Sequence, residues 1–233
     1  MSKNREIITG LDIGTQSIRI VMGQRLGENR LKIIGVAETP SLGISRGSIN
    51  SIEDTVSSIA EVMEKCERMT ALRIDKIVVG ISGTHIKTTN SRGVVAVAKA
   101  SQQVEDSDIA RAVEVAESTT IMPNYEILHV LPIAYNLDDQ KNIKEPQGMT
   151  GVRLEVETQV VMALSSQVKN LTKCIYRTGV DIEFIVFSIL ATAEAVLTKK
   201  QKELGVAVVN IGAATTSLAV FEDGNILHTA VLP

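Results

Sequence analysis

Two stretches of this chain follow one plan, and that repetition constrains the fold more than any other feature. Near the N-terminus the chain reads Gly10-Leu11-Asp12-Ile13-Gly14-Thr15-Gln16-Ser17-Ile18-Arg19-Ile20-Val21. Near the C-terminus it reads Val208-Val209-Asn210-Ile211-Gly212-Ala213-Ala214-Thr215-Thr216-Ser217-Leu218-Ala219-Val220. Each has an apolar strand, a polar residue, a glycine, small hydroxyl residues and a second apolar strand. That order predicts a β-hairpin with a tight turn. Glycine lets backbone N–H groups come close to an anion, and successive N–H groups in a turn form an anion-binding concavity. A single copy is common in β proteins. Two copies, each opening a β-rich segment, predict a duplicated domain with a cleft between its halves. Hairpins facing each other across that cleft would grip a polyphosphate, with the Asp12 carboxylate toward its metal.

With 233 residues the chain can form two compact domains or one large one. Tryptophan is absent and aromatics make up only 3%, so the core has to be built from Ile, Val, Leu and Ala. The net charge of −3 and the lack of a basic stripe argue against nucleic acid as a partner. Met1-Ser2-Lys3-Asn4-Arg5-Glu6 leads straight into a strand, so no signal peptide is expected. The weakly charged run from Phe184 to Leu197 is too short to span a bilayer. Cys66 and Cys174 each fall in an amphipathic helical pattern and read as reduced core residues, which fits a cytoplasmic protein.

Along the chain, residues 7–13 and 17–24 form the first hairpin, and a third strand, Arg30 to Ala37, follows the turn Gly27-Glu28-Asn29. A helix begins near Ile52, with Ile52, Val56, Ile59, Met63 and Cys66 on one face and Asn50 or Ser51 as cap. Lys76 to Ile81 is a buried strand, and a parallel-type sheet with a helix on its face follows from that order. The middle then reads strand, strand, helix, strand, strand. His85 to Asn90 and Val94 to Ala98 flank a turn at Asn90-Ser91-Arg92-Gly93. The helix runs from Asp106 to Glu117, and the long strands Glu126 to Leu137 and Val152 to Met162 flank a Pro- and Gly-containing loop. This pattern predicts an inserted α+β domain over residues 84–163. The first domain, residues 1–83 and 164–200, resumes with a helix from Ser165 to Thr178, a strand from Ile182 to Phe187 and a helix from Ser188 to Leu197. Thr198 to Glu203 reads as a polar linker. Residues 203–233 begin a second domain, which by analogy with the first should continue past Pro233.

These residues resemble the actin-like ATPases, and within them the FtsA family of bacterial cell division proteins. Gly10-Leu11-Asp12-Ile13-Gly14-Thr15 is similar to the family's first phosphate loop. Gly80-Ile81-Ser82-Gly83-Thr84-His85-Ile86 opens its inserted domain. Leu128-His129-Val130-Leu131-Pro132 resembles a strand of that domain, and Pro146-Gln147-Gly148-Met149-Thr150-Gly151-Val152-Arg153-Leu154-Glu155 its most characteristic stretch. Ala193 to Thr198 and Glu203 to Val206 lead into the second phosphate loop, and Gly224 to Thr229 follow it in register. The resemblance covers the whole chain. It implies an α/β fold: an actin-like (ribonuclease H-like) lobe, an inserted α+β subdomain and the start of a second lobe.

The resemblance also implies binding of ATP with magnesium. Its candidate residues are Asp12, Gly14, Thr15, Gln16 and Ser17 on one side and Asn210, Gly212, Ala213, Thr215 and Thr216 on the other. Asp12 would hold the metal through water. Three departures qualify this. Asn210, Ala213, Ala214 and Ser217 interrupt the family's usual Asp-Ile-Gly-Gly-Gly-Thr-Thr-Asp. Ser17 stands where a lysine is usual. Phe187-Ser188-Ile189 stands where a water-orienting Gln or Glu is usual. Methyl groups at Ala213 and Ala214 would hinder positive φ and close backbone approach, and fast hydrolysis is not expected.

Bland readings stay beside these. Asp12 has a turn-capping reading behind its ligand role, Asn210 would serve equally as a hairpin cap, Thr15 and Thr215 can bond their own turns, and Glu194 and Arg153 read as surface contacts. The histidines lack metal-ligand spacing. At the level of function the resemblance implies a scaffold peripheral to the cytoplasmic membrane at the division site. It would self-associate into filaments, link the FtsZ ring to the membrane through regions outside this chain, and meet later division proteins through the inserted domain. The alternatives are a PilM-like scaffold of type IV pili and, in a different class, a sugar kinase. A kinase needs a carboxylate base at a sugar site, and no glycine-flanked acidic motif in the middle segment supplies one.

Overall fold

The computed structural model describes residues 6–27, 30–98, 102–120 and 122–233. The opening residues 1–5 and the Glu28-Asn29 part of the first expected turn lie outside them. In chain order the elements are β1 (Ile7–Ile13), β2 (Ser17–Gly27), β3 (Arg30–Pro40), β4 (Ile44–Ser45), β5 (Ser48–Ile49) and α1 (Ile52–Thr70). Next come β6 (Lys76–Ile81), β7 (Ile86–Ala96), α2 (Asp106–Ser118), β8 (Tyr125–Leu137), β9 (Gln140–Ile143) and β10 (Arg153–Leu164). The remainder is α3 (Ser165–Tyr176), β11 (Asp181–Phe187), α4 (Ser188–Val196), α5 (Lys199–Leu204), β12 (Val206–Ile211), β13 (Thr216–Glu222) and β14 (Asn225–Leu232).

The first sheet has five strands in the order β11-β6-β1-β2-β3. It is mixed, where the sequence suggested a parallel sheet: β1, β6 and β11 run parallel, while β1, β2 and β3 form an antiparallel meander. The meander follows from the first tight turn, since a hairpin has to pair antiparallel. Helix α1 is capped by the Ser51 hydroxyl, which accepts from the Asp54 N–H at 3.4 Å. Its Ile59, Val62, Met63 and Cys66 are buried in the sheet's core, together with Val168, Leu171, Cys174 and Ile175 of α3. Both cysteines are buried free thiols whose pKa burial pushes up.

The middle of the chain forms a separate four-stranded sheet, β7-β10-β8-β9, with α2 against it. Here the expected turn at Asn90-Ser91-Arg92-Gly93 is not a turn. The four residues lie inside β7, opposite Gln159, Thr158, Glu157 and Val156 of β10. Their polar, glycine-containing composition has another cause: a Cβ on Gly93 would lie 1.9 Å from the carbonyl oxygen of Ala112 in α2. The glycine admits a helix backbone rather than a chain reversal. Helix α2 starts where the Asp108 carboxylate accepts from the Glu105 N–H at 3.0 Å. That bond, with the Arg111 guanidinium beside it, holds the Asp108 carboxyl below its usual range.

The expected linker at Thr198 to Glu203 is also different. It forms the short helix α5, because Thr198 and Gln201 make a reciprocal capping box. Strands β12, β13 and β14 make a three-stranded antiparallel sheet. Its Val208, Ala219 and Phe221 join the core of the first sheet alongside Ile189 and Ala193 of α4. On its other flank β14 meets the middle sheet through polar groups. The Thr229 hydroxyl donates to Gln159 Oε1 at 3.1 Å, and the Thr88 hydroxyl donates to the Thr229 carbonyl at 2.9 Å.

Candidate functional site

The two repeated motifs fold into the same turn. The Gly14 N–H donates to the Ser17 carbonyl at 3.1 Å, and the Gly212 N–H donates to the Thr215 carbonyl at 2.9 Å. Both glycine N–H groups are therefore used inside the turn. The glycines are needed for space: a Cβ would lie 2.8 Å from the Ser17 oxygen in the first turn and 3.0 Å from the Thr215 oxygen in the second. Ala213 and Ala214 are not among the described residues at positive φ, so their methyl groups meet no backbone penalty here, against the sequence-based expectation.

The turns face one cavity of about 350 Å³, within the range of small-molecule sites. Of the residues singled out from sequence, Asp12, Gly14, Thr15, Gln16, Ser17, Asn210, Gly212, Ala213 and Thr215 line it. Thr216, the first residue of β13, does not; its chain neighbours Thr215 and Ser217 take the cavity side, as alternation along an extended chain requires. Thr15 also holds the β4–β5 hairpin, its hydroxyl accepting from the Gly47 N–H at 3.4 Å.

Asp12 is the penultimate residue of β1, flanked in the sheet by Arg19 of β2 and Gly80 of β6. Gly80 keeps the space beside the carboxylate open, since a Cβ there would lie 2.7 Å from Ser188 Oγ and 3.2 Å from Asp12 Oδ1. The Ser188 hydroxyl, in the first turn of α4, donates to Asp12 Oδ1 at 3.4 Å. The Asp12 side chain reaches solvent through the cleft, yet protein surrounds it on most sides. That desolvation raises its pKa, and the Ser188 bond and the Arg19 charge only partly oppose the rise. Arg19 also lines the cavity. Its guanidinium is held 3.0 Å from Glu38. Ser17, at the usual lysine position, bonds the Glu38 carboxyl and with Arg19 lowers its pKa.

The second hairpin is fixed to the first sheet by a hydroxyl pair, with Ser82 Oγ and Ser217 Oγ 3.1 Å apart. Ser82, Ser188 and Ser217 thus complete the wall. Sequence reading took Ser188 and Ser217 as substitutions within a family pattern and did not place Ser82 at the site; a serine ending a buried strand at Ser82 was the available signal. Among the described residues no group of three or more His, Cys, Asp or Glu side chains gathers as a metal cluster. A metal here would rest on Asp12 and on oxygens of the bound anion. The fit is otherwise good. The carboxylate is raised in energy by burial, which a cation relieves, and it stands at the base of a cavity walled by two matched turns. Glu194 bonds Lys202, and Arg153 pairs with Glu155 at 2.9 Å, both away from the cavity.

Residues 83–162 match the family described as the SHS2 domain inserted in FTSA. The cell division protein FtsA of Pseudomonas aeruginosa is 39% identical over 228 residues, covering 98% of this chain and 54% of that protein. FtsA of Bacillus subtilis is 36% identical over 230 residues, covering 99% of this chain and 52% of that protein. The chain thus spans about half the length of these relatives. Among solved structures, the PilM-PilN type IV pilus biogenesis complex contains a chain with TM-score 0.70 and 17% identity, covering 98% of this chain and 62% of that one. The ethanolamine utilization protein EutJ from Carboxydothermus hydrogenoformans gives TM-score 0.53 at 15% identity, covering 98% and 52%. Likeness at this identity bears on fold alone, and that fold is α/β and actin-like. Among the described residues no helix is long and apolar enough to cross a membrane.

Proposed function

Over the part of its relatives that it spans, this chain belongs to the FtsA family of cell division proteins, and on that premise we propose that its cleft binds Mg-ATP. The observation that carries the reading is the pair of like turns, Gly14–Ser17 and Gly212–Thr215, facing one cavity with Asp12 at its base. Gly14, Thr15, Gln16 and Ser17 would take the phosphates from one side, and Asn210, Gly212, Ala213 and Thr215 from the other. Thr216 pairs with Ile211 in the hairpin beside the second turn and is left out of the phosphate set. Asp12 would hold magnesium through water; the ion, when bound, neutralises phosphate charge and orients the chain of phosphates. Arg19, opposite Asp12 in the sheet, stands at the same wall with its charge paired to Glu38.

Turnover in this reading is slow. Ser188 occupies the strand-to-helix junction and is turned to Asp12, so no side-chain amide or carboxylate stands there to orient an attacking water. The protein would act as a nucleotide-dependent scaffold. In the whole protein, self-association into filaments, FtsZ binding through regions outside residues 1–233 and attachment to the cytoplasmic membrane through a C-terminal helix complete the proposal. The division into residues 1–83 with 164–200, residues 84–163 and residues 203–233 belongs to it. The middle unit would carry contacts to other subunits and to later division proteins.

The test is calorimetric titration of Mg-ATP. The full-length protein is expected to bind, and residues 1–233 alone to bind weakly or not at all, because the adenine side of the site lies in the second lobe. No binding by the full-length protein would overturn the reading, and micromolar binding by residues 1–233 would move the site. A second expectation concerns Asn210, which is exposed to the cavity. Asn210→Asp should leave Mg-ATP affinity within about twofold of wild type, since an amide and a carboxylate both accept from metal-bound water. It should raise the slow phosphate release, which a steady-state assay reads directly.

A further inference from the structure

Strand β11 is an edge strand of the five-stranded sheet, paired only with β6, and its last N–H is bonded outside that sheet. That N–H belongs to Phe187, which is fully buried and stands at the N-cap position of α4 without a side-chain cap of its own. A buried backbone donor needs a partner. It finds one in the other sheet: the Phe187 N–H donates to Nε2 of His129 at 3.0 Å. His129 lies in β8, opposite Val161 of β10. The next residue after Phe187 is Ser188, whose hydroxyl donates to Asp12. One histidine therefore links the middle sheet to the carboxylate at the base of the cleft through two adjacent residues.

We infer that His129 is a positioning residue: it pins the middle sheet to the start of α4 and so sets Ser188 against Asp12. The bond fixes the state of the ring. Nε2 accepts, so the ring is neutral and carries its proton on Nδ1. Burial favours this state, pushing the His129 pKa down from its ordinary value. The consequence is a two-way coupling. A partner that shifts the middle sheet shifts Ser188, and a ligand that draws on Asp12 is felt at the middle sheet, because coupling between sites is reciprocal. The coupling arm rests on the nucleotide reading above; the pin does not.

The experiment therefore has separate arms, all on the full-length protein. The first is made without nucleotide. In protein labelled with 15N at histidine, His129 should give the signature of a neutral ring protonated at Nδ1. In His129→Phe, which keeps the ring volume and removes the acceptor, amide exchange in the peptide containing Phe187 and Ser188 should quicken about fivefold. His129→Gln places an amide oxygen where Nε2 stood and should restore wild-type protection. An Nε2-protonated ring, or unchanged exchange in His129→Phe with an unchanged unfolding midpoint, overturns the pin. In the second arm, Mg-ATP affinity should fall about threefold in His129→Phe and recover in His129→Gln. Quickened exchange with unchanged affinity, where wild type binds, overturns the coupling. Absence of binding by wild type itself overturns the nucleotide reading and with it the coupling, and leaves the exchange arm to decide the pin.

Discussion

Replacing Gly93 by valine is expected to cost about 3 kcal/mol or more of folding free energy, nearly all of it in the middle sheet. Gly93 is buried in β7, and α2 lies directly on it. A Cβ would stand 1.9 Å from the Ala112 carbonyl oxygen and 2.7 Å from the Ala116 nitrogen. Both neighbours are helix backbone, so no rotamer change can make room. Ala112 and Ala116 are already fully buried and as small as a side chain with a Cβ can be. Helix α2 has to lift off, and it takes with it the second apolar cluster, built on Val104, Leu137, Leu154 and Val156. The φ of Gly93 is not in the left-handed region, so the cost is steric and not conformational. Denaturant unfolding with amide exchange reads the result. Early exposure of β7, β10 and α2 with the first sheet still protected is expected. A Gly93→Val chain within about 0.5 kcal/mol of wild type would show that α2 does not sit where the structure has it.

Asp12→Ala separates binding from stability. In the full-length protein it should weaken Mg-ATP binding by about one to two decades, the range set by losing a charge-assisted contact of about 1.5–3 kcal/mol. Filament formation should fall with it. Stability should move the other way or not at all. Burial raises the Asp12 pKa, so the folded chain favours the protonated carboxyl. That preference stabilises the fold below the ordinary carboxylate range and is lost as pH rises through the raised value. At neutral pH the ionised group is a cost, and removing it leaves thermal stability equal to or above wild type. A hairpin-capping aspartate would behave in the opposite sense. Lower stability with undiminished nucleotide affinity would return Asp12 to the role of a turn residue.

What could be read from sequence was local. The hairpins at Gly14 and Gly212 were legible because strand, turn and strand are contiguous, and the pattern of α1 was legible because its buried face repeats at helical spacing. The misreadings had causes at a distance. Asn90-Ser91-Arg92-Gly93 has the composition of a turn, and only the helix lying over Gly93 explains why a strand passes through it. Thr198 to Glu203 has the composition of a linker, but the single exchange between Thr198 and Gln201 is enough to start a helix. The cleft divides in the same way. Asp12 and the two turns were found from their own neighbours. Ser82 and His129 matter because of Ser217 and Phe187, which lie 135 and 58 residues away along the chain.

The hydroxyl and amide contacts among Thr88, Gln159 and Thr229 have a consequence for movement. Separating two oily faces exposes apolar area to water and is opposed in proportion to that area. Separating partners joined by hydrogen bonds offers each group a water molecule in place of the partner it loses, so the net cost of each bond is small. At these residues the boundary between β14 and the middle sheet can be wetted one bond at a time. A joint held by such contacts opens at a lower cost per contact than an apolar seam of the same size.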